Sequence, residues 1–129
     1  MRIVCIVFVV LFLHEALGFR SVLFGSCNRQ NRPQVHWEQM SRLMDQETEL
    51  FLWTGDSVYV KNHTLDALGW AYGDLLSNDH YESFVENTKL KTVDGIWDDH
   101  DLGVNDAGIL PDRVDRAKLF TNFLGLSGS

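Results

Sequence analysis

Asp98, Asp99, Asp101 and Asp106 place four carboxylates within nine residues, and His100 and Asn105 add an imidazole and a carboxamide to the same run. So many like charges repel one another unless a cation is shared among them. Asp99 and Asp101 flank His100 and favour its imidazolium form, which suits it to donate a proton to a leaving group. Two smaller clusters, Gly25-Ser26-Cys27-Asn28 and Gly55-Asp56-Ser57-Val58-Tyr59, carry a thiol, a carboxylate and a phenol. Asp56 sits in a Gly-Asp turn, where it serves as a ligand or as a helix cap. Tyr59 binds metal as a phenolate only beside a strongly acidifying cation, since a free tyrosine titrates near ~10. Its ordinary alternative is an aromatic ring with a satisfied hydroxyl. Cys27 reads equally as a thiolate donor or as a small buried hydrophobe. His36, His63 and His80 fall on helix or loop surfaces by pattern and are expected to be solvated.

All three clusters follow short apolar runs. Ser21 to Phe24 and Leu50 to Trp53 fit buried strands, and Thr92 to Trp97 a third one, interrupted by Asp94-Gly95. Between them, Trp37, Met40, Leu43 and Met44 repeat at helical spacing. A second helix starts near Thr64, with Leu65, Leu68, Tyr72, Leu75 and Leu76 inward. Asp79 and Glu82 resemble a capping box for a third, whose inner side is Tyr81, Phe84, Val85 and Thr88. A last helix begins at Pro111, Asp112 and Asp115, turns Val114, Ala117, Phe120, Phe123 and Leu124 inward, and stops at Gly125. Strands alternating with helices imply an α/β fold with a mostly parallel sheet, in which ligands bind beyond the carboxyl ends of the strands. Cys27, Asp56 and the Asp98–Asp106 run all stand just past such ends.

The length of 129 residues allows one domain, and a 45% hydrophobic content supports a packed core. A formal charge of −7 with no basic run argues against a nucleic acid or an anionic membrane as partner. Residues 1–18 read as a secretory signal peptide: Arg2 is the positive n-region, Ile3 to Leu13 the apolar stretch, and Ala16 and Gly18 the small residues before cleavage at Phe19. The stretch is too short for a comfortable membrane span, so a secreted or lumenal chain without a membrane anchor is expected. Cys5 then leaves with the leader and Cys27 becomes a lone thiol. Asn62-His63-Thr64 is a glycosylation sequon on Asn62. An EF-hand is excluded, because Val104 and Leu110 stand where glycine and glutamate are needed. No nucleotide-binding glycine loop and no Gly-x-Ser-x-Gly elbow occurs.

With these motifs in place, the chain resembles the N-terminal half of the alkaline phosphatase D-like (PhoD-like) metallophosphatases. Phe24-Gly25-Ser26-Cys27-Asn28 is similar to the family's first site motif and Trp53 to Tyr59 to its second. Trp97-Asp98-Asp99-His100-Asp101, with Gly103, Asn105 and Asp106, is similar to its third. The resemblance implies half of a calcineurin-like four-layer α/β/β/α sandwich, with residues 19–129 as its N-terminal part. It implies that Cys27, Asp56 and Tyr59 hold a ferric ion, with Asp56 bridging to calcium. Asp99 is implied as a further metal ligand and His100 as acid or phosphate contact, with Asp98, Asn105 and Asn28 as additional metal or phosphate contacts. The implied reaction is hydrolysis of a small phosphate ester. The superfamily completes its site with Asp and His ligands from a second half, and past Asp106 this chain has Asp112 and Asp115 and no histidine. The expectation is therefore either a truncated enzyme or an inactive secreted remnant that still binds metal. An unrelated secreted α/β binding domain is the third reading.

Overall fold

The computed structural model describes residues 11–12, 21–87, 90–106 and 108–126. Its elements run β1 (Leu11–Phe12), β2 (Ser21–Gly25), α1 (His36–Leu43), β3 (Thr48–Thr54), α2 (Leu65–Leu76), α3 (Asp79–Val85), β4 (Thr92–Ile96) and α4 (Arg113–Phe123), with a 3-10 turn at His100–Leu102. The sheet order is β1-β2-β3-β4. β2, β3 and β4 are parallel, and β1 pairs antiparallel with the start of β2. The α/β reading with mostly parallel strands agrees with this architecture. The expected signal peptide, residues 1–18, lies outside the described residues apart from the β1 backbone. Among the described residues no helix is long and apolar enough to cross a membrane.

Alternation along the strands turns Leu23, Phe51 and Trp53 to one face of the sheet. All four helices join them there in one core, through Trp37 and Met40 of α1, Leu68 and Leu75 of α2, Tyr81 and Phe84 of α3, and Phe120 and Phe123 of α4. Trp37 is its hub, with edge-on ring contacts to Phe51, Trp53 and Tyr81 at 5.7, 5.4 and 4.8 Å. The two buried indole N–H groups are satisfied: Trp37 donates to Gln34 at 2.8 Å and Trp53 to the Tyr81 hydroxyl at 3.2 Å. The opposite face carries Phe24, Leu50 and Leu52, which stay half-buried, and Ile96, which is 66% exposed.

Several expectations shift locally. β4 runs unbroken through Asp94-Gly95 because Gly95 stacks on Trp53: a Cβ there would lie 2.6 Å from the Trp53 Cβ. The cap of α3 is Asn78 rather than Asp79, with its Oδ1 accepting from the His80 and Tyr81 N–H groups, and the helix ends at Val85, so Thr88 lies outside the described residues. Thr64 caps α2 as expected, accepting from the Ala67 N–H at 3.2 Å. Leu43 and Leu76, the last residues of α1 and α2, are exposed rather than inward.

The largest correction is on α4, where Val114 is 68% exposed and Arg116 is buried in its stead. Arg116 donates to the carbonyls of Leu102 and His63, each at 2.7 Å, and to both Asp112 carboxylate oxygens at 2.8 Å. A guanidinium with its donors this fully engaged is buried without an orphaned charge. The helix is therefore rotated onto the frame Arg116, Phe120, Phe123, and α4 is pinned to the loop that follows β4.

His36 and His80 are half-buried rather than solvated, whereas His63 is exposed as expected. His63 Nδ1 lies 2.7 Å from the Gly103 carbonyl, and His80 pairs with Glu38 at 3.0 Å. His36 is half-buried against Trp37, and burial, reinforced by nearby His80, lowers its pKa below the ordinary 6.5. Its position at the start of α1 also disfavours a positive charge. The unfolded chain thus binds a proton that the fold resists, so stability rises with pH up to about 6.5 and is lost as pH falls below it. His36→Gln is expected to flatten the stability profile between pH 5 and about 6.5, read from urea midpoints; an unchanged slope would refute this assignment.

Candidate metal centre

The three polar clusters leave β2, β3 and β4 at the same end of the sheet. The first two loops are fastened together by amides. The Asn28 N–H donates to the Asp56 carbonyl at 2.9 Å, and its side-chain amide donates to the Ser57 carbonyl at 3.1 Å. Gln30 grips Tyr59 on both backbone groups, donating to its carbonyl at 2.7 Å and accepting from its N–H at 3.0 Å. Such a pairing does for two loops what a strand ladder does within the sheet.

The third loop is held to the second by Asp101, which is 0% exposed. Its carboxylate accepts from the N–H groups of Asp56 at 2.6 Å, Ser57 at 2.8 Å and Asp98 at 3.0 Å, and from the Ser57 hydroxyl. Tyr72 of α2 donates to the Asp101 carbonyl at 2.9 Å. Burial raises the Asp101 pKa, and the hydrogen bonds it accepts oppose that rise. Gly55 completes the join: it has φ +98°, and a Cβ there would meet the Asp98 Cβ at 2.7 Å. Only glycine accommodates both that backbone and that contact.

This scaffold delivers a compact donor set. Asp56, Asp99 and His100 each offer a ligand atom, all within 4.8 Å of one another, and all three side chains are half-buried. The Tyr59 hydroxyl donates to Asp56 Oδ2 at 2.6 Å, and the Cys27 Sγ stands 4.0 Å from the same oxygen. The Tyr59 and His100 rings touch, with centroids 4.2 Å apart. Burial, and then the adjacent Asp56 carboxylate, push the Tyr59 hydroxyl well above its ordinary pKa, so without a cation it remains a donor. Asp99 Oδ1 accepts from the His100 N–H at 2.7 Å and Oδ2 from the Asp106 N–H. These bonds orient the carboxylate and leave lone pairs on both oxygens.

Two features of these loops carry a cost. Cys27 and Asp56 both adopt left-handed backbone, with φ of 58° and 54°; each such non-glycine residue costs about 1–2 kcal/mol. Asp56 Oδ1 and Asn28 Oδ1 are buried and accept no hydrogen bond from the described residues. A buried, unpaired carboxylate oxygen is unfavourable, and a cation removes the penalty. Carboxylate, phenol and amide oxygen suit a hard cation, the imidazole is a borderline donor, and the thiol adds one softer donor.

The remaining expected residues are placed as follows. Asp98 is exposed, and its carboxylate accepts from the Asp99 N–H at 2.8 Å, outside the compact donor group. Asn105 is exposed and its amide donates to Asp106. Asn28 lies within the site. Asn62 is exposed in the loop before α2. Sequence reasoning missed Asp101 as the organiser of the loops. The available signal was the Gly55-Asp56-Ser57 turn, whose backbone N–H groups need an acceptor from elsewhere in the chain. Comparison with known proteins finds no matching family model, no matching curated protein and no matching solved structure.

Proposed function

We propose that the chain binds a metal cation at the ends of β2, β3 and β4 and serves metal-dependent hydrolysis of small phosphate esters. The activity is the one implied by its resemblance to the PhoD-like metallophosphatases and their four-layer sandwich. The observation that carries the reading is the state of Asp56. It is left-handed, with one oxygen lacking a partner among the described residues, and it faces Asp99, His100, Tyr59 and Cys27. Cys27, Asp56, Tyr59 and Asp99 would hold the cation, with ferric iron and calcium the identities that the resemblance implies. Bound there, a cation supplies Lewis-acid polarisation of a phosphoryl oxygen and a more acidic water. His100 contributes the proton that a leaving oxygen requires, with its ring set by the 3-10 turn and by the Tyr59 ring. The leader-like residues 1–18 support placement in the secretory pathway.

A second reading has its own support. The compact group found among the described residues is sized for one cation, whereas two-metal phosphoryl transfer needs two sets of ligands. On that reading the chain is a secreted metal-binding protein without turnover. Iron(III) and calcium, added separately and together, decide between the two. Uptake is expected to stabilise the fold by about 2.7 kcal/mol at a free cation concentration 100 times Kd. Turnover of p-nitrophenyl phosphate then supports the hydrolase. Uptake without turnover supports the binding protein, and absence of uptake overturns both.

A further inference from the structure

The site is rich in acids, and a phosphate ester approaching it is itself an anion. Asp56 and Asp99 belong to the donor group and exposed Asp98 and Asp106 flank it in sequence, so a positive charge must offset their repulsion. Arg29 stands against this background. Its guanidinium lies over the Tyr59 ring, 4.5 Å from the centroid, and that ring in turn contacts His100 and hydrogen-bonds Asp56. Its side chain is exposed, and its N–H groups donate to no described residue. Arg116, by contrast, has its donors taken by two carbonyls and Asp112.

The backbone from which Arg29 projects is fixed. Its carbonyl accepts from the Arg32 N–H at 2.9 Å and from the Gln34 side chain at 2.8 Å. On either side of it, Asn28 and Gln30 are the residues that fasten the first loop to the second. The aromatic face under the guanidinium restrains the planar group while leaving its edge donors free, a combination that arginine permits and lysine does not. A guanidinium held in this way is preorganised to take two oxygens of a phosphoryl group.

We infer that Arg29 is the anion anchor of this site, binding the phosphoryl group of the substrate beside the cation held by Asp56 and Asp99. The inference rests on the metal-centre reading above and adds a specificity residue that the motifs alone do not indicate. It predicts that two affinities part company. Loss of the positive charge next to the donor set should leave cation binding unchanged or tighter, while phosphate binding weakens. A residue that merely supports Tyr59 would lower both.

The experiment is titration of inorganic phosphate into the full chain loaded with calcium and iron(III), alongside titration of the cations themselves. Arg29→Gln is expected to weaken phosphate binding by about 10- to 100-fold, the worth of a charge-assisted pair of hydrogen bonds. Arg29→Lys, which keeps the charge and loses the fork, is expected to fall between the two. Circular dichroism and melting temperature are expected to stay at wild-type values, since Arg29 is exposed. Equal phosphate affinity in wild type and Arg29→Gln overturns the inference while leaving the metal centre standing. A parallel fall in cation and phosphate affinity also overturns it, by making Arg29 structural. Cation uptake by the wild type without any phosphate binding overturns both the anchor and the phosphoester reading. Failure of the wild type to take up cation overturns the metal-centre reading itself.

Discussion

Asp56→Asn is expected to lower cation affinity by at least about 100-fold while leaving the cation-free protein slightly more stable. The two signs come from one group. Asparagine tolerates the left-handed backbone at φ 54° about as well as aspartate does, so the turn survives the change. It still offers an oxygen to the Tyr59 hydroxyl, which now bonds Asp56 Oδ2 at 2.6 Å. What disappears is a half-buried negative charge with one oxygen unpaired among the described residues. Relief of that desolvation should raise the melting temperature of the cation-free chain by about 2–4 °C, whereas a ligand removed from a small donor set cripples binding. Calorimetric titration and thermal melts of the same preparation check both halves. Undiminished cation affinity, or a melt lowered by several degrees, would show that Asp56 is a structural cap.

Asp101→Asn is expected to move stability in the opposite direction, lowering it by about 3 kcal/mol, and to lower cation affinity as well. The Asp101 carboxylate takes three backbone N–H groups and a hydroxyl, with no basic group among these partners. An amide presents an NH2 where an acceptor is needed, so at least one buried donor is left facing another. The Asp56 N–H is among the groups released, and the ligand loop then loses its fixed position. Urea midpoints at constant pH measure the first effect and cation titration the second. An unchanged midpoint would mean that the other contacts between the loops hold them without Asp101.

The contrast between these two aspartates shows what the sequence could convey. Hydrophobic period locates β2, β3 and α2 to within a residue or two, because Val22, Leu23, Phe51, Trp53, Leu68 and Leu75 leave no other arrangement that buries them. It also brings three polar clusters to one end of a parallel sheet. It does not say which carboxylate in Asp98-Asp99-His100-Asp101 turns inward. That depends on the 3-10 turn at His100 and on the N–H groups waiting on a loop more than forty residues earlier. Arg116 misleads for a related reason: a base at an inward helical position reads as surface until the carbonyls of His63 and Leu102 are seen beside it. Arg29 is illegible in the sequence, since its place over Tyr59 follows from the pairing of two loops.

The sheet face opposite the helices has a consequence for the chain in solution. Phe24, Leu50, Leu52 and Ile96 present a sticky strip, while a net charge of −7 keeps separate copies at a distance. These are opposing colloidal forces of very different range. Added salt shortens the electrostatic repulsion to a few ångströms and leaves the apolar attraction intact or stronger. Dilute, low-salt buffer is therefore the condition that keeps this molecule dispersed, and salting-out is the direction in which its copies gather.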